Sequence, residues 1–214
     1  MKFSVKMNDI PKELRAYVET EILPRYDHFD AGHRRDHVQM VIDSSLRLAC
    51  AYSLNISMAY TIAAYHDTGL VNGRERHHLD SAVIMRSDET LRQWFTSDEI
   101  ALMCEAVEDH RASAGQEPRS LYGRVVADAD HDNTAETIVR RTLQYGLEHW
   151  PEMTKEEQRQ RTYDHLHEKY AEGGYLHFWL PETEQSPHLG ELRRWLREGS
   201  IDGVYDWLWE EETK

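Results

Sequence analysis

The stretch Ala63-Ala64-Tyr65-His66-Asp67-Thr68-Gly69-Leu70 decides how the rest of the chain is read. Small and apolar residues lead into it, and Gly69 sits where a left-handed residue would stop a helix. The adjacent His66-Asp67 pair follows residues that read as buried. Burying an imidazole and a carboxylate is costly unless each has a partner, and a divalent metal partners both at once. The alternative is a histidine hydrogen-bonded to a neighbouring carboxylate at a helix end. Polar residues upstream and downstream that could converge on the pair weigh against that alternative.

Working outward, Asn55-Ile56-Ser57 offers an N-cap for a helix over Met58–His66 that delivers the pair. Upstream, Leu14, Tyr17, Val18 and Ile22 predict a helix over Lys12–Leu23, with Pro11 suited to its first turn and Pro24 breaking it. Residues 1–10 read as a short, loosely ordered lead. A second helix is expected from about Asp36 to Ser53, with His37, Val41, Ser44, Ser45 and Leu48 on its core-facing stripe. Downstream, a polar loop Val71–Arg76 precedes a helix beginning His77-His78-Leu79-Asp80-Ser81-Ala82, where Ser81 and Ala82 permit close packing. Thr96-x-x-Glu99 is a capping box for a helix running to His110. Pro118 would open the next helix, which carries Asp128 and Asp130. Asn133 or Thr134 would start its continuation, Ile138 to Tyr145. A second capping box, Thr154-x-x-Glu157, starts a charged helix ending near Gly173-Gly174, and two short tryptophan-bearing helices follow, joined by turns at Ser186-Pro187 and Gly199–Gly203. No sustained alternation or Asn-Gly hairpin signal occurs, so the expected fold is all-α. We read residues 1–214 as a single helical domain, with an accessory helical region at about 150–214.

Composition narrows the function classes. The 214 residues are 40% hydrophobic and 30% charged, with a formal charge of −14. That charge argues against a general nucleic-acid or membrane-surface binder, since both need a basic face. No run approaches the roughly 18 apolar residues of a membrane span. The N-terminus has no apolar signal region, and the two cysteines, Cys50 and Cys104, lie in helical apolar patterns rather than in a disulfide or zinc framework. The expectation is a cytoplasmic protein with buried thiols.

Thirteen histidines is a high number for this length. In order, the candidate ligands are His37, His66-Asp67, His77 or His78, His110, and Asp128 or Asp130, each on or at the end of a different helix. Nitrogen and oxygen donors without thiolate suit Mn, Fe, Co, Ni, Zn or Mg, and imidazoles favour the transition metals. Four histidines and two aspartates are enough for two ions bridged by one carboxylate. The order His37 … His66-Asp67 … Asp130, the last within Val126-Ala127-Asp128-Ala129-Asp130, resembles the HD-domain superfamily of metal-dependent phosphohydrolases, which are all-helical. His77-x-x-x-Ser81 and Val107-x-x-His110 match the further positions of its two-metal members. The resemblance favours Asp130 over Asp128 and His77 over His78, and it covers roughly 30–145.

The resemblance implies one or two divalent ions and hydrolysis of a phosphate ester of a small molecule, often a nucleotide, with His66 and Asp67 at the reacting centre. Asp67 would be the bridging or central carboxylate. A divalent ion makes a water acidic near neutral pH and neutralises phosphoryl oxygens. A carboxylate behind the ligands, such as Glu108 or Asp109, would orient a ligand histidine. An anionic substrate also needs cations. Arg34, Arg35, Arg74, Arg76, Arg111, Arg119, Arg140 and Arg141 lie near the candidate ligands in sequence, and arginine's planar fork suits phosphate. Arg34 and Arg111 are the leading substrate contacts, with His33 beside them; His131 and the later histidines are assigned no role. Two other readings use the same ligands: a di-iron oxygenase of the same superfamily, and a non-catalytic metal-holding binding domain. The C-terminal tryptophans suit a core or a homodimer interface.

Overall fold

The computed structural model describes residues 9–111 and 115–214. Most of the lead expected at 1–10, and part of the loop at 112–119, therefore lie outside the described residues. Among the described residues the chain forms eleven α-helices, short 3-10 and π turns, and no strand. The fold is all-α. In chain order the helices are α1 (Lys12–Tyr17), α2 (Arg35–Ala51), α3 (Ile56–Tyr65), α4 (His77–Ser87), α5 (Ser97–Asp109), α6 (Leu121–His131), α7 (Ala135–His149), α8 (Lys155–Tyr170), α9 (Pro181–Glu184), α10 (Pro187–Glu198) and α11 (Ile201–Glu212). None is long and apolar enough to cross a membrane.

The caps read from sequence form as expected where a side chain is free to bond. Asn55 Oδ1 accepts from Ser57 N at 3.0 Å and Met58 N at 3.3 Å to start α3. Both capping boxes are reciprocal, Thr96 with Glu99 and Thr154 with Glu157. Ser120, rather than Pro118, caps α6 through Gly123 N. The first helix departs from expectation. After α1 the backbone widens into a π turn over Val18–Ile22 and tightens into a 3-10 turn over Leu23–His28. Pro24 sits in the first turn of the latter. Proline has no N–H to continue an α-ladder, and the widened turn absorbs the mismatch. Leu14, Val18, Ile22 and Tyr26 nonetheless remain one fully buried stripe.

Helix α3 is buried over Met58–Tyr65, so it is surrounded rather than amphipathic. It packs on α2 and α5, while α2 and α5 both pack on α6, and α4 packs on α5. The buried apolar residues divide into two clusters. One spans Ile10 to Ala129 with Leu180 added; the other runs from Ala135 to Leu208 and joins α7, α8, α10 and α11. Helix α7, in the second cluster, also packs on the turn Ala31–His33.

Gly69 is not the left-handed helix stop expected from its position. It lies inside a 3-10 turn over Thr68–Asn72, and the positive φ belongs to Gly73, at 99°. Glycine is required at 69 by close approach: a Cβ there would stand 2.2 Å from His77 O and 2.5 Å from Ser81 N. Its own N–H donates to Ser81 Oγ at 2.8 Å. The first turn of α4 is thereby seated directly on the segment that follows Asp67. Gly69→Ala is expected to push α4 away and destabilise the fold by about 1–3 kcal/mol, the usual range for overpacking. Urea unfolding of the variant beside the wild type measures it.

Candidate metal centre

The end of α3 is held by three hydroxyl and imidazole groups. The last four carbonyls of any helix lack intrahelical donors. Here Ala64 O accepts from Tyr26 Oη at 3.0 Å, Ala63 O from His66 Nδ1 at 2.7 Å, and Tyr65 O from Thr68 Oγ1 at 2.8 Å. Tyr26 Oη also accepts from Asp67 N at 3.3 Å. The His66-Asp67 corner is therefore fixed by the need to satisfy buried backbone, and both side chains are fully buried or nearly so.

Asp67 is the centre of the arrangement. Its Oδ2 lies 3.2 Å from His66 Nε2 and 3.5 Å from His37 Nε2. Its Oδ1 lies 3.4 Å from His77 Nε2 and 3.5 Å from His110 Nε2. Asp130 joins the first side, with Oδ1 3.1 Å from His37 Nε2 and 3.8 Å from His66 Nε2. Two groups of side chains that could each hold a metal ion result, His37/His66/Asp67 and Asp67/His77/His110, sharing the carboxylate.

The donor chemistry fits cations. His77 and His110 donate Nδ1–H to Arg74 O at 2.8 Å and Val107 O at 2.6 Å, as His66 does to Ala63 O. Neutral rings so engaged carry their lone pairs on Nε2. His37 Nε2 lies 3.3 Å from His66 Nε2 and 3.1 Å from Asp130 Oδ1, and its unbonded Nδ1 leaves it able to carry a proton on Nε2; His77 Nε2 and His110 Nε2, however, face each other at 3.2 Å. Converging lone pairs repel unless a cation or an added proton lies between them. Electrostatics points the same way. Burial depresses His66, but the Asp67 and Asp130 carboxylates outweigh it and lift the ring to about 9. Burial would raise Asp67 and Asp130, but the surrounding imidazoles hold both well below the usual range. Burial, with His110 beside it, pulls His77 down to about 4. The pocket thus keeps two buried carboxylates ionised and draws positive charge toward them.

Residues 34–135 match the family model of the HD domain. The chain carries an HD domain. Two solved structures share its fold. One is a predicted HD superfamily hydrolase from an uncultured Thermotogales bacterium, 20% identical, with a TM-score of 0.52 over 77% of this chain and 90% of that one. The other is a structural-genomics target from Lactobacillus plantarum, also 20% identical, with a TM-score of 0.60 over 91% of this chain and 99% of that one. No curated protein matches the chain. Coverage of 91% extends beyond residue 150, so the helices that follow the HD domain belong to the shared fold.

Beside the HD-domain centre lies a cavity of about 840 Å³, and Asp67, His77, His110 and Asp130 line it. The structure brings His37, His66, Asp67, His77, His110 and Asp130 together. His78 does not line the cavity, although its ring packs edge-on against His77. His33 lines the cavity, bonded to Asp30 Oδ1 at 2.7 Å and edge-on to His37. Arg111 lines it too, and its guanidinium donates to Glu75 O. Arg34 does not line the cavity: its side chain is exposed, and its carbonyl accepts from His37 N and Val38 N at the start of α2.

Sequence reasoning missed the contribution of α8. Helix α8 buries Gln158, Thr162, Leu166 and Tyr170, an i, i+4 stripe. The adjacent stripe, Arg161, His165 and Lys169, faces the cavity. Three basic-type side chains at four-residue spacing beside a core stripe was the available signal. Arg141, one of eight arginines in the sequence reading, also lines the cavity, as does His131, 3.5 Å from Asp130 Oδ2.

Asp128 faces the other way. Its carboxylate accepts from Trp179 N at 2.9 Å and Leu180 N at 2.8 Å and contacts Thr183 Oγ1, tying α6 to the segment before α9. Burial raises Asp128 from 3.8 to about 6, outweighing the bonds from Thr183, Trp179 and Leu180, which favour the carboxylate. The folded chain keeps a proton there that the unfolded chain releases between pH 4 and 6. This stabilisation is full below about pH 4 and is lost as pH rises through about 6, amounting to about 2–3 kcal/mol. Asp128→Asn has no such dependence. The stability of the wild type relative to Asp128→Asn is expected to fall by that amount between pH 4 and pH 7, measured by urea unfolding across the range.

Proposed function

We propose that this chain is a metal-dependent phosphohydrolase that cleaves a phosphate ester of a small molecule. The observation carrying the reading is the division of Asp67: each carboxylate oxygen faces its own pair of imidazole Nε2 atoms at 3.2–3.5 Å, at the edge of a cavity that also holds cations. His37, His66, Asp67 and Asp130 would hold one divalent ion, and Asp67, His77 and His110 a second. When bound, such ions supply Lewis acidity toward phosphoryl oxygens and make a water acidic near neutral pH.

The chain's own residues supply the rest. Asp67 is fixed by Tyr26 and by the turn seated on Gly69, so its two oxygens are preorganised. His66, His77 and His110 are locked in one tautomer by their Nδ1–H bonds to carbonyls, which keeps Nε2 toward the site. Arg141 and Lys169 bring positive charge to the same cavity, where the transferred group would carry negative charge. His33, bonded to Asp30, and Arg111, bonded to Glu75 O, form the wall beside α2 and α5. The donor set is free of thiolate, which suits Mn, Fe, Co, Ni or Zn, with Mg also compatible with the carboxylates.

Elemental analysis of the purified protein and of Asp67→Ala tests the reading together with a phosphate-release panel. We expect one or two ions of Mn, Co, Ni, Zn or Mg per chain in the wild type and loss of metal from the variant. Phosphate release should fall more than about a hundredfold in Asp67→Ala, beyond the cost of losing a supporting hydrogen bond. Two irons per chain without phosphate release would replace the reading by a di-iron oxygenase. Metal retention without turnover on any phosphate would leave a metal-holding binding domain, and no metal after reloading would overturn the site altogether.

A further inference from the structure

The cavity beside the metal centre is built from two parts of the fold. Residues of the HD domain form one wall, and α7 and α8 form the other, carrying Arg141, Arg161 and Lys169. Among the described residues none of these three pairs with a carboxylate, in a chain of 39 acidic and 25 basic residues. Arg141 donates to Gly32 O. Arg161 bonds only neutral groups, namely Gln158 Oε1 at 2.9 Å, Thr142 O at 2.5 Å and Thr162 Oγ1 at 3.3 Å. The Lys169 ammonium has no hydrogen bond or ion pair among the described residues and lies 5.3 Å from the Tyr170 ring. Glu157, Asp164 and Glu168 line the same cavity without engaging any of them. Cations that share a concavity with carboxylates yet pair with none of them are left free to meet an anion.

The cations are graded along α8. Lys169 lies toward the HD-domain centre, within the field of Asp130, while burial brings its ammonium down to about 8. Arg161 stands two turns away, over the Trp150 ring at 5.5 Å. Eight residues of helix separate the two, about 12 Å along the axis. Arg74 joins the outer end: its guanidinium covers the Tyr145 ring at 4.9 Å, with Asp30 only at 3.9 Å.

We propose that this cavity takes a bis-anionic substrate, an organic phosphate whose leaving portion carries a second phosphate. The scissile phosphate meets Lys169 and Arg141 at the HD-domain end, and the distal phosphate meets Arg161 and Arg74. The inference rests on the phosphohydrolase reading for the chemistry at the inner end, but not for the binding of the outer anion.

Calorimetric titration of the metal-loaded protein with α,ω-alkanediol bisphosphates of two to six carbons, and with the matching monophosphates, tests it. At least one bisphosphate should bind about tenfold or more tighter than its monophosphate, since a second charge-assisted contact is worth that much. Arg74→Gln and Arg161→Gln should erase the preference and leave monophosphate binding intact; Lys169→Met should weaken both ligands. Arg161 also tethers α7 to α8, so Arg74→Gln, whose side chain is half exposed, is the variant that keeps the test open if Arg161→Gln unfolds. Equal affinity for the two ligand series in the wild type, or a preference that survives in Arg74→Gln, would overturn the inference. Metal content and phosphate release on monophosphates report separately on the phosphohydrolase reading, so the two can fail independently.

Discussion

A carboxylate with almost no solvent access, set between two pairs of imidazoles, is the constraint on which the structure turns. Leaving Asp67 ionised in such a place is unfavourable unless positive charge surrounds it. The fold answers by bringing five other ligand-type side chains from α2, α3, α4, α5 and α6 to within about one hydrogen-bond length of it or of each other. Each helix must arrive at a fixed angle and depth. That requirement fits the close approach of Gly69 to the α4 backbone, two residues from Asp67.

Helix ends make the arrangement affordable in backbone terms. His66 and His110 occupy the C-cap positions of α3 and α5. There each folds back onto the carbonyl three residues earlier, Ala63 O and Val107 O. One bond satisfies an orphan carbonyl, fixes the tautomer and aims Nε2 outward. His77, at the start of α4, achieves the same with Arg74 O in the preceding loop. His37 is different: its Nδ1 is buried without a partner among the described residues, so its orientation comes from packing and from Asp130.

Legibility in the sequence followed the range of the interactions. Cap motifs are local, and Asn55, Thr96 and Thr154 act as their spacing predicts. The period of apolar residues gave the all-α class, because it reports which face of each helix is buried. His37, His66-Asp67, His77, His110 and Asp130 were legible as a set because each lies on or at the end of a different helix, in an order that resembles the HD-domain pattern. Asp128 against Asp130 was not decidable by spacing alone. Both lie near the end of α6, and only the docking of Trp179–Thr183 from far along the chain shows which one is diverted. The role of Gly69 was misread for a related reason, since close approach by another helix leaves no trace in neighbouring residues. Proximity in sequence to a ligand drew attention to Arg34, which is exposed and does not line the cavity, while Lys169, more than a hundred residues from His66-Asp67, does.

The two apolar clusters then acquire a common purpose. A carboxylate-rich centre in a chain of formal charge −14 would repel an anionic ligand if it faced bulk solvent alone. The second cluster holds α7 and α8 rigidly enough to present Arg141, Arg161 and Lys169 from the opposite wall. Its core stripe, Gln158, Thr162, Leu166 and Tyr170, fixes the rotation of α8, and a rotation of about 100° per residue leaves little freedom in which side chains face the cavity. Gln158 tightens that register by donating to Gly146 O and Trp150 O at 2.8 Å across the α7–α8 corner. The acidic centre and the basic wall are thus folded by different cores, and neither core alone encloses the cavity between them.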